Sequence, residues 1–196
     1  MATNTKRVFY VKYVAHTVFN DMMAAQPDIR LDKLENDSPD TEAAPVLEAA
    51  HAFQIGASRD ELAPQFFAHE DLLKRCPNLL VVSSNGAGYD TVDVDACTAA
   101  GVLAVNQAGG NAEAVATHAL ALLLNLTKRI GEIDRAMRRE RVYDRAAFIG
   151  RNPLEKTIGI IGMGHVGTRL AELVKAMYRM RVLAYDPYLT AEQITA

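Results

Sequence analysis

Residues 157–167 read TIGIIGMGHVG, and this stretch decides the fold of the second half of the chain. An apolar, β-branched run, Thr157–Ile161, leads directly into three glycines with the spacing G-x-G-x-x-G, at Gly162, Gly164 and Gly167. Apolar residues then recur at helical spacing. A strand, a glycine turn and a helix in this order are typical of the first part of a βαβ unit that binds a dinucleotide.

Each glycine of this turn has its own structural role. Gly162 permits a tight turn, Gly164 lets a pyrophosphate approach the backbone, and Gly167 lets the helix pack closely on the sheet. The first amides of the helix have no intrahelical partner and carry a partial positive charge, so they favour an anion. A glycine turn that binds nothing is the alternative interpretation.

An acidic residue stands where such a unit would hold the adenosine ribose. The apolar run at residues 182–185 ends in Asp186, about 20 residues beyond the last glycine. Its carboxylate would accept hydrogen bonds from the ribose hydroxyls and would repel a 2′-phosphate. Because no arginine follows in Pro187-Tyr188, we expect the cofactor to be NAD and not NADP.

The first half of the chain alternates between short β-branched runs and helical patterns. This alternation predicts an α/β fold with a parallel sheet, here a flavodoxin-like domain of five strands over residues 1–105. Residues 106–196 would hold a long helix and the first βαβ unit of a Rossmann domain, truncated after its second strand. We predict strands at residues 8–14, 28–34, 52–55, 79–82 and 102–106, helices at 18–25, 43–50, 66–75 and 92–100, and a polar loop at 37–42.

The segment from Asn111 to Ile130 is predicted to be one long helix that is apolar on nearly every side. Such a helix must be covered all round, either between two domains or between two subunits. A polar helix would follow to about residue 145. It includes the basic run 135–141, which is interleaved with acidic residues and is therefore interpreted as a solvated face.

Composition excludes several classes of function. The net charge of −3 argues against nucleic acid as a partner, and no apolar run approaches the ~20 residues of a membrane span. The polar start of the chain lacks the apolar core of a secretory signal, so we expect a cytoplasmic protein. Cys76 and Cys97 have no CxxC spacing and no neighbouring histidines, which predicts two free thiols and no metal site.

A second glycine-rich turn, SSNGAGYD at residues 83–90, follows a predicted buried strand. Ligands of open α/β sheets lie outside the carboxyl ends of strands, and consecutive amides there can bind an anion, most naturally a carboxylate. The alternative is a plain turn with Asp90 as the cap of the next helix. Residue types alone leave both interpretations open.

Three segments together resemble the D-isomer-specific 2-hydroxyacid dehydrogenases, especially their D-3-phosphoglycerate dehydrogenase members. They are NGAGYDTVDVDA, VNQAGGNAEAVATHALALLL and TIGIIGMGHVG continuing to VLAYDP, and they cover roughly residues 78–188. The first half of the chain is similar in its alternating pattern only. The resemblance implies hydride transfer between NAD and C2 of a small 2-hydroxy or 2-oxo acid, with residues 1–105 as a substrate-binding lid domain.

The resemblance also implies roles for single residues. The amides of Gly86, Ala87 and Gly88 would hold the substrate carboxylate, with Asn111 opening the interdomain helix beside the substrate. His165 and Val166 match residues that touch the pyrophosphate. The helix from Asn111 to Ile130 would form the interface of a homodimer.

Three departures from the family pattern limit these implications. Ser84 stands where phosphoglycerate dehydrogenases usually have an arginine, and Thr117 stands where the family commonly has glutamate. The family's catalytic arginine, acid and histidine match no position up to Ala196, and the five histidines here are poor replacements, so we expect the 196-residue chain alone to be inactive. The alternative function is a non-catalytic, NAD-binding regulatory or corepressor-like dimer module.

Overall fold

The computed structural model describes residues 5–139, 141 and 144–195, and it divides the chain into two compact units, Met1–Gly110 and Asn111–Ala196. The division falls later than the expected boundary between residues 105 and 106. The loop after residue 105 belongs to the first unit by its hydrogen bonds, since the Gln107 amide donates to the Gly86 carbonyl at 3.0 Å. Residues 1–4, residues 140, 142 and 143 in the predicted polar helix, and Ala196 lie outside the described residues.

The first unit is built on a five-stranded sheet in which every neighbouring pair is parallel. The strands are β1 Lys6–Val11, β2 Ile29–Leu34, β3 Ala52–Ile55, β4 Val81–Ser84 and β5 Leu103–Val105. Their order in the sheet is β2-β1-β3-β4-β5, the flavodoxin-like order, so the predicted fold is confirmed. The direction of winding reverses between β1 and β3.

Helices cover this sheet and bury its apolar residues. Phe9 and Phe53 are register partners in β1 and β3, and their rings stack with centroids 4.1 Å apart at the fully buried centre of the core. Burying a side chain of this size contributes about 1.5–3 kcal/mol. The helices are α1 Thr17–Ala24, α2 Asp40–Ala49, α3 Glu70–Arg75 and α4 Val94–Ala99.

Both cysteines lie in this core, as predicted for free thiols. Burial raises the pKa of the Cys76 thiol to about 12. Burial, together with the charge of Asp93, also raises the pKa of Cys97. Neither thiol is therefore a reactive thiolate at neutral pH.

Several predicted boundaries in the first unit are wrong. The polar loop at residues 37–42 is already helical from Asp40, where the acidic first turn suits the helix dipole. The helix predicted at 66–75 begins only at Glu70, because Ala68 pairs in parallel with Val92 and is held extended. Helix α4 begins after Asp93, whose carboxylate accepts from the Ala96 amide at 2.9 Å. Asp93, and not Asp90, is therefore the cap of this helix.

The second unit contains the predicted βαβ arrangement. Strands β6 Thr157–Ile161 and β7 Arg181–Tyr185 are parallel and joined by helix α7 His165–Tyr178. Helix α5 Ala112–Lys128 packs on α7, and Leu120, Val174 and Met180 form its small buried core. The Arg169 guanidinium in α7 bonds the carboxylates of Glu113 and Glu172 and thereby ties the two helices together. Helix α8 Ala191–Thr195 follows β7.

The predicted long helix ends earlier than expected, at Lys128. Arg129 adopts a left-handed backbone with φ of 56°, and a separate helix, α6 Ile130–Arg139, follows it. Only Ala116 and Leu120 of α5 are buried, so the all-round cover that its sequence demands is not supplied within the described chain. None of the helices in the described ranges is long and apolar enough to span a membrane.

Candidate functional site

The glycine turn between β6 and α7 has the geometry that its sequence predicts. Gly162 has a φ of +93°, a region that side chains rarely adopt. A Cβ placed on Gly167 would lie 1.9 Å from the Gly162 carbonyl oxygen, so no larger residue fits there. A Cβ on Gly164 would meet no described atom within 4 Å. The turn is thus closed on the sheet side and open where a ligand would approach.

Helix α7 presents its free amides to this open side. Gly164 is the N-cap residue, and no side chain among the described residues caps the helix. His165 and Val166 are the first two helical residues, and their amides have no intrahelical acceptor. The fourteen-residue helix adds its dipole to these donors. This arrangement suits a phosphate without any basic side chain.

Asp186 is attached to the glycine turn by a direct hydrogen bond. Its Oδ2 accepts from the Met163 amide at 2.8 Å, and its Oδ1 accepts from the Tyr188 amide at 2.9 Å. These two backbone bonds, the Met163 bond first, lower the pKa of the Asp186 carboxyl. Each carboxylate oxygen keeps a second acceptor site, which leaves room for the two ribose hydroxyls.

These residues fit the NAD cofactor. The space over Gly164 and the uncapped helix start accept a pyrophosphate, and the ionised Asp186 accepts a ribose diol but disfavours a 2′-phosphate. A cleft of about 560 Å³ beside Asp186, lined in part by Met163 and Leu189, has room for a flat base. The second unit therefore contains residues that would hold the phosphates and the adenosine ribose of the cofactor.

The upstream glycine turn lies in the first unit, directly after β4. All three carbonyl oxygens of residues 86–88 are held from within the unit. The Gln107 amide donates to the first at 3.0 Å, the Asn106 side chain to the second at 2.8 Å, and the Ser84 hydroxyl to the third at 2.5 Å. The positions of these carbonyls are thus fixed by the fold.

The amides of the same turn, unlike its carbonyls, have few hydrogen-bond partners among the described residues. Within the described residues, the Ala87 and Gly88 amides donate to no protein acceptor, and the Gly86 amide makes only a long bond of 3.4 Å to the Ser84 hydroxyl. Consecutive free amides at the carboxyl end of a parallel strand form an anion-binding concavity. The turn can therefore accept a carboxylate.

The loop after β3 packs beside this turn. The fully buried Thr91 donates through Oγ1 to the Gly56 carbonyl at 2.6 Å. The buried Gln54 donates through Nε2 to Asn85 Oδ1 at 2.8 Å, whereas Asn85 Nδ2 is buried without a partner among the described residues. The sequence did not single out Thr91 and Gln54 as supporting residues. Their only sequence signal is that each is a polar residue within three positions of a glycine, Gly88 or Gly56.

The structure shows the surroundings of two residues that depart from the family pattern. Ser84 is fully buried and closes the glycine turn through its hydroxyl, so its side chain is not available to a substrate. Thr117 bonds back to the Glu113 carbonyl of its own helix at 2.8 Å. No group of acidic, histidine or cysteine side chains in the described part of the chain could hold a metal ion.

The predicted site residues fall into two groups. Gly86, Ala87 and Gly88 lie together in the first unit, and the cofactor residues lie together in the second. Asn111 begins the second unit as the residue before α5, where it is exposed and makes no capping bond to a described residue. Its proposed contact with substrate therefore stays a prediction.

Comparison with known proteins also points to an NAD-binding domain in the second unit. Residues 120–196 match the family described as "D-isomer specific 2-hydroxyacid dehydrogenase, NAD binding domain". The chain is 41% identical over 119 residues to D-3-phosphoglycerate dehydrogenase of Mycobacterium leprae (strain TN), covering 61% of this chain and 22% of that enzyme. It is 35% identical over 152 residues to the Archaeoglobus fulgidus enzyme of the same name, covering 71% of this chain and 28% of that enzyme.

Solved structures share the fold over almost the whole chain. D-lactate dehydrogenase from Aquifex aeolicus, complexed with NAD and lactic acid, superposes with a TM-score of 0.76 at 24% identity, over 96% of this chain and 54% of that one. A glyoxylate reductase from Paecilomyes thermophila gives 0.75 at 18% identity, over 97% and 58%. The chain thus spans roughly a quarter of the curated relatives and little more than half of these structures.

The glycine turn, the helix start and Asp186 all lie inside the residues that match this NAD-binding domain. The chain is therefore similar to the D-isomer-specific 2-hydroxyacid dehydrogenases, and its residues 120–196 match the NAD-binding domain of that family.

Proposed function

We propose that the protein catalyses hydride transfer between NAD and C2 of a small 2-hydroxy or 2-oxo acid. The single observation that carries this proposal is the turn at residues 86–88, where fixed carbonyls leave the Ala87 and Gly88 amides free to hold a carboxylate. When bound, NAD supplies the hydride acceptor, and NADH supplies the donor. The residues of this chain would bind and orient the cofactor and the substrate acid.

The test combines binding and turnover. The 196-residue chain and a chain extended to the length of its curated relatives are each mixed with NADH and with glyoxylate, hydroxypyruvate or 2-oxoglutarate. We expect both chains to bind NADH and only the extended chain to oxidise it. NADH binding without oxidation of any 2-oxo acid by the extended chain would favour the non-catalytic regulatory dimer instead.

Substitution of Gly88 separates substrate binding from cofactor binding. A Cβ on Gly88 would lie 3.8 Å from the Ala57 Cβ, an ordinary contact, and its φ is not in the left-handed region, so the turn tolerates a side chain. In Gly88→Val the branched side chain crowds the free amides. We expect the affinity for 2-oxo acids to fall at least about tenfold, a loss of about 1.4 kcal/mol, while NADH affinity is unchanged, both measured by calorimetry.

Gly101→Ala is not a suitable control for Gly88→Val. Gly101 has a φ of +72°, a conformation in which an alanine side chain would be strained. Gly56→Ala is suitable, since Gly56 lies outside the turn and its Cβ would meet only the Leu62 Cβ, at 4.0 Å. Equal substrate affinity in Gly88→Val and in the unaltered protein would favour a plain strand-to-helix turn.

We also propose that the protein is a homodimer through the helix region from Asn111 to Ile130. Val115, Leu122 and Leu126 on α5 are 42%, 50% and 77% exposed, and Ile130 is 56% exposed. Aliphatic side chains exposed in such a row are typical of a surface that a second copy covers.

Leu126→Lys tests the dimer, because a charge at a buried apolar contact is costly. We expect at least about tenfold weaker self-association by sedimentation velocity. Met22→Lys is the matched control, since Met22 is 59% exposed on α1 in the first unit, outside the proposed interface. Unchanged association of Leu126→Lys would remove this surface from the interface.

A cytoplasmic location is proposed as well. It is supported by Cys76 and Cys97, which are both free thiols in the core of the first unit, as expected in a reducing compartment. Fractionation of cells that express the full-length protein, with detection by antibody, tests the location. Recovery in a membrane or secreted fraction would contradict it.

A further inference from the structure

A buried pair of side-chain amides lies beside the start of the upstream glycine turn. Gln54 belongs to β3 and is only 8% exposed, and its Nε2 donates to Asn85 Oδ1 at 2.8 Å. Asn85 follows β4 and directly precedes Gly86, the first glycine of the turn. A side chain of one strand therefore holds the residue from which the turn of the neighbouring strand begins.

Gln54 is held between its neighbours on two other strands. Its register partners are Tyr10 of β1, which is also buried, and Ser83 of β4. Side chains in register share one face of a sheet, as do residues two positions apart on a strand, so Asn85 lies on the face of Gln54. Asn85 also donates its backbone amide to the Ile55 carbonyl at 2.9 Å. Both its backbone and its side chain are thus attached to β3.

The free amides of the turn are directed by its peptide planes. In a planar trans peptide the carbonyl and the following N–H point in opposite directions, so a fixed carbonyl also fixes the next amide. The Gln107 amide bonds the Gly86 carbonyl at 3.0 Å and so directs the Ala87 N–H. The Asn106 side chain bonds the Ala87 carbonyl at 2.8 Å and so directs the Gly88 N–H.

The Gly86 amide is directed in another way. It shares a peptide plane with the Asn85 carbonyl, which accepts no hydrogen bond from the residues that the structure describes. The bond from the Gly86 amide to the Ser84 hydroxyl is long, at 3.4 Å. The orientation of this first plane is therefore set mainly by the attachments of Asn85 to β3, of which the bond from Gln54 is the shortest.

Stability does not explain the amide pair. Asn85 Nδ2 is buried without a partner among the described residues, so the pair uses only part of its hydrogen-bonding capacity. An apolar pair of the same shape would leave no buried polar group unsatisfied and is commonly neutral or stabilising by comparison. The orientation that the pair gives to the first plane of the turn explains why amides stand here.

We propose that Gln54 is a positioning residue of the carboxylate site. It acts through Asn85, which orients the Gly86 amide so that this amide joins those of Ala87 and Gly88 in facing the carboxylate of a 2-hydroxy or 2-oxo acid. The inference rests on the proposed function, which places that carboxylate on the turn. Gln54 is itself buried and affects the substrate only through Asn85.

Gln54→Met tests this role, since methionine has a similar length and cannot donate a hydrogen bond. The probe is oxamate, which carries the carboxylate and carbonyl of a 2-oxo acid but is not reduced. Its affinity is measured by calorimetry on the extended chain saturated with NADH. We expect oxamate to bind at least about fivefold more weakly, with NADH affinity unchanged because the cofactor residues lie in the second unit.

His51→Leu is the matched control. His51 directly precedes β3, and its Nδ1 accepts from the Arg7 amide at 3.2 Å. The substitution therefore removes a partly buried hydrogen bond at the other end of the same strand, away from the turn. We expect it to leave the affinity for oxamate unchanged.

A double variant, Gln54→Met with Asn85→Leu, separates positioning from stability. It replaces both amides and leaves neither unpaired, so its free energy of unfolding in urea should recover relative to Gln54→Met. Oxamate binding should stay weak, because the first plane of the turn is still not held. Unchanged oxamate affinity in Gln54→Met, or an affinity that recovers together with stability in the double variant, overturns the role of Gln54. If the unaltered extended chain binds no oxamate, the proposed carboxylate site fails, and the role of Gln54 fails with it.

Discussion

Gly167→Ala is expected to destroy the cofactor site and to destabilise the second unit by about 3 kcal/mol or more. The added Cβ would lie 1.9 Å from the Gly162 carbonyl oxygen and 3.0 Å from its carbonyl carbon. Both atoms are backbone, so the conflict is not relieved by turning a side chain. Either α7 moves away from β6 or Gly162 leaves its left-handed conformation, and both changes displace the amides that face the pyrophosphate.

Urea unfolding, monitored by circular dichroism, measures this loss of stability. The transition of the second unit is recognised because bound NAD shifts it to a higher urea concentration. Gly159→Ala is the matched control. It lies in β6, and its Cβ would meet no described atom within 4 Å, so its free energy of unfolding should change by less than about 1 kcal/mol. If Gly167→Ala unfolded at the same urea concentration as the unaltered protein and bound NAD equally well, the close helix–strand contact would be disproved.

Asp186→Ala should weaken NAD binding by about 1–3 kcal/mol, roughly 5- to 150-fold. The change removes the acceptor of the ribose hydroxyls and also leaves the Met163 and Tyr188 amides without their partner. The glycine turn therefore loses its tie to the end of β7. Because the negative charge is removed too, the discrimination against NADP should relax. Titration of NADH and NADPH fluorescence measures both affinities.

Asp186→Asn separates the charge of Asp186 from its hydrogen bonds. The amide keeps one oxygen acceptor, so NAD affinity should fall less than in Asp186→Ala, while the discrimination against NADP should relax to a similar extent. NADP binding that stays weak in both variants would show that the carboxylate charge does not select the cofactor. Unchanged affinity for both cofactors would remove Asp186 from the site.

The βαβ unit is the part of the fold that the sequence predicted best. Strand β6 has the predicted bounds, and Asp186 directly follows β7, where its carboxylate accepts from the Met163 amide of the glycine turn. These features depend on local geometry, since a G-x-G-x-x-G turn requires glycine wherever it occurs. The helix predicted at residues 66–75 was less successful. Pairing of Ala68 with Val92 overrides the helical preference there, and such a distant contact leaves no periodic signal nearby.

The upstream turn likewise shows which features local sequence predicts and which depend on distant contacts. Its position after a buried strand predicted an anion site or a plain turn, and residue types could not separate the two. The structure adds that the Ser84 hydroxyl and the Asn106 side chain hold the carbonyls while the amides stay free. It also brings Arg59 to the turn through the Asp90 carbonyl, a contact across 31 positions of the chain. No spacing rule relates these residues.

The sequence by itself determined the alternation of strands and helices, the glycine turn and the identity of the acid that accompanies it. These depend on side-chain periodicity, on backbone conformations open only to glycine, and on charge. Only the tertiary structure decided the strand order, the cap at Asp93, the closure of the turn by the buried Ser84, and the hydrogen bond from Arg59 to the Asp90 carbonyl. Those features come from pairing and packing between residues far apart in the chain, which a linear pattern does not encode.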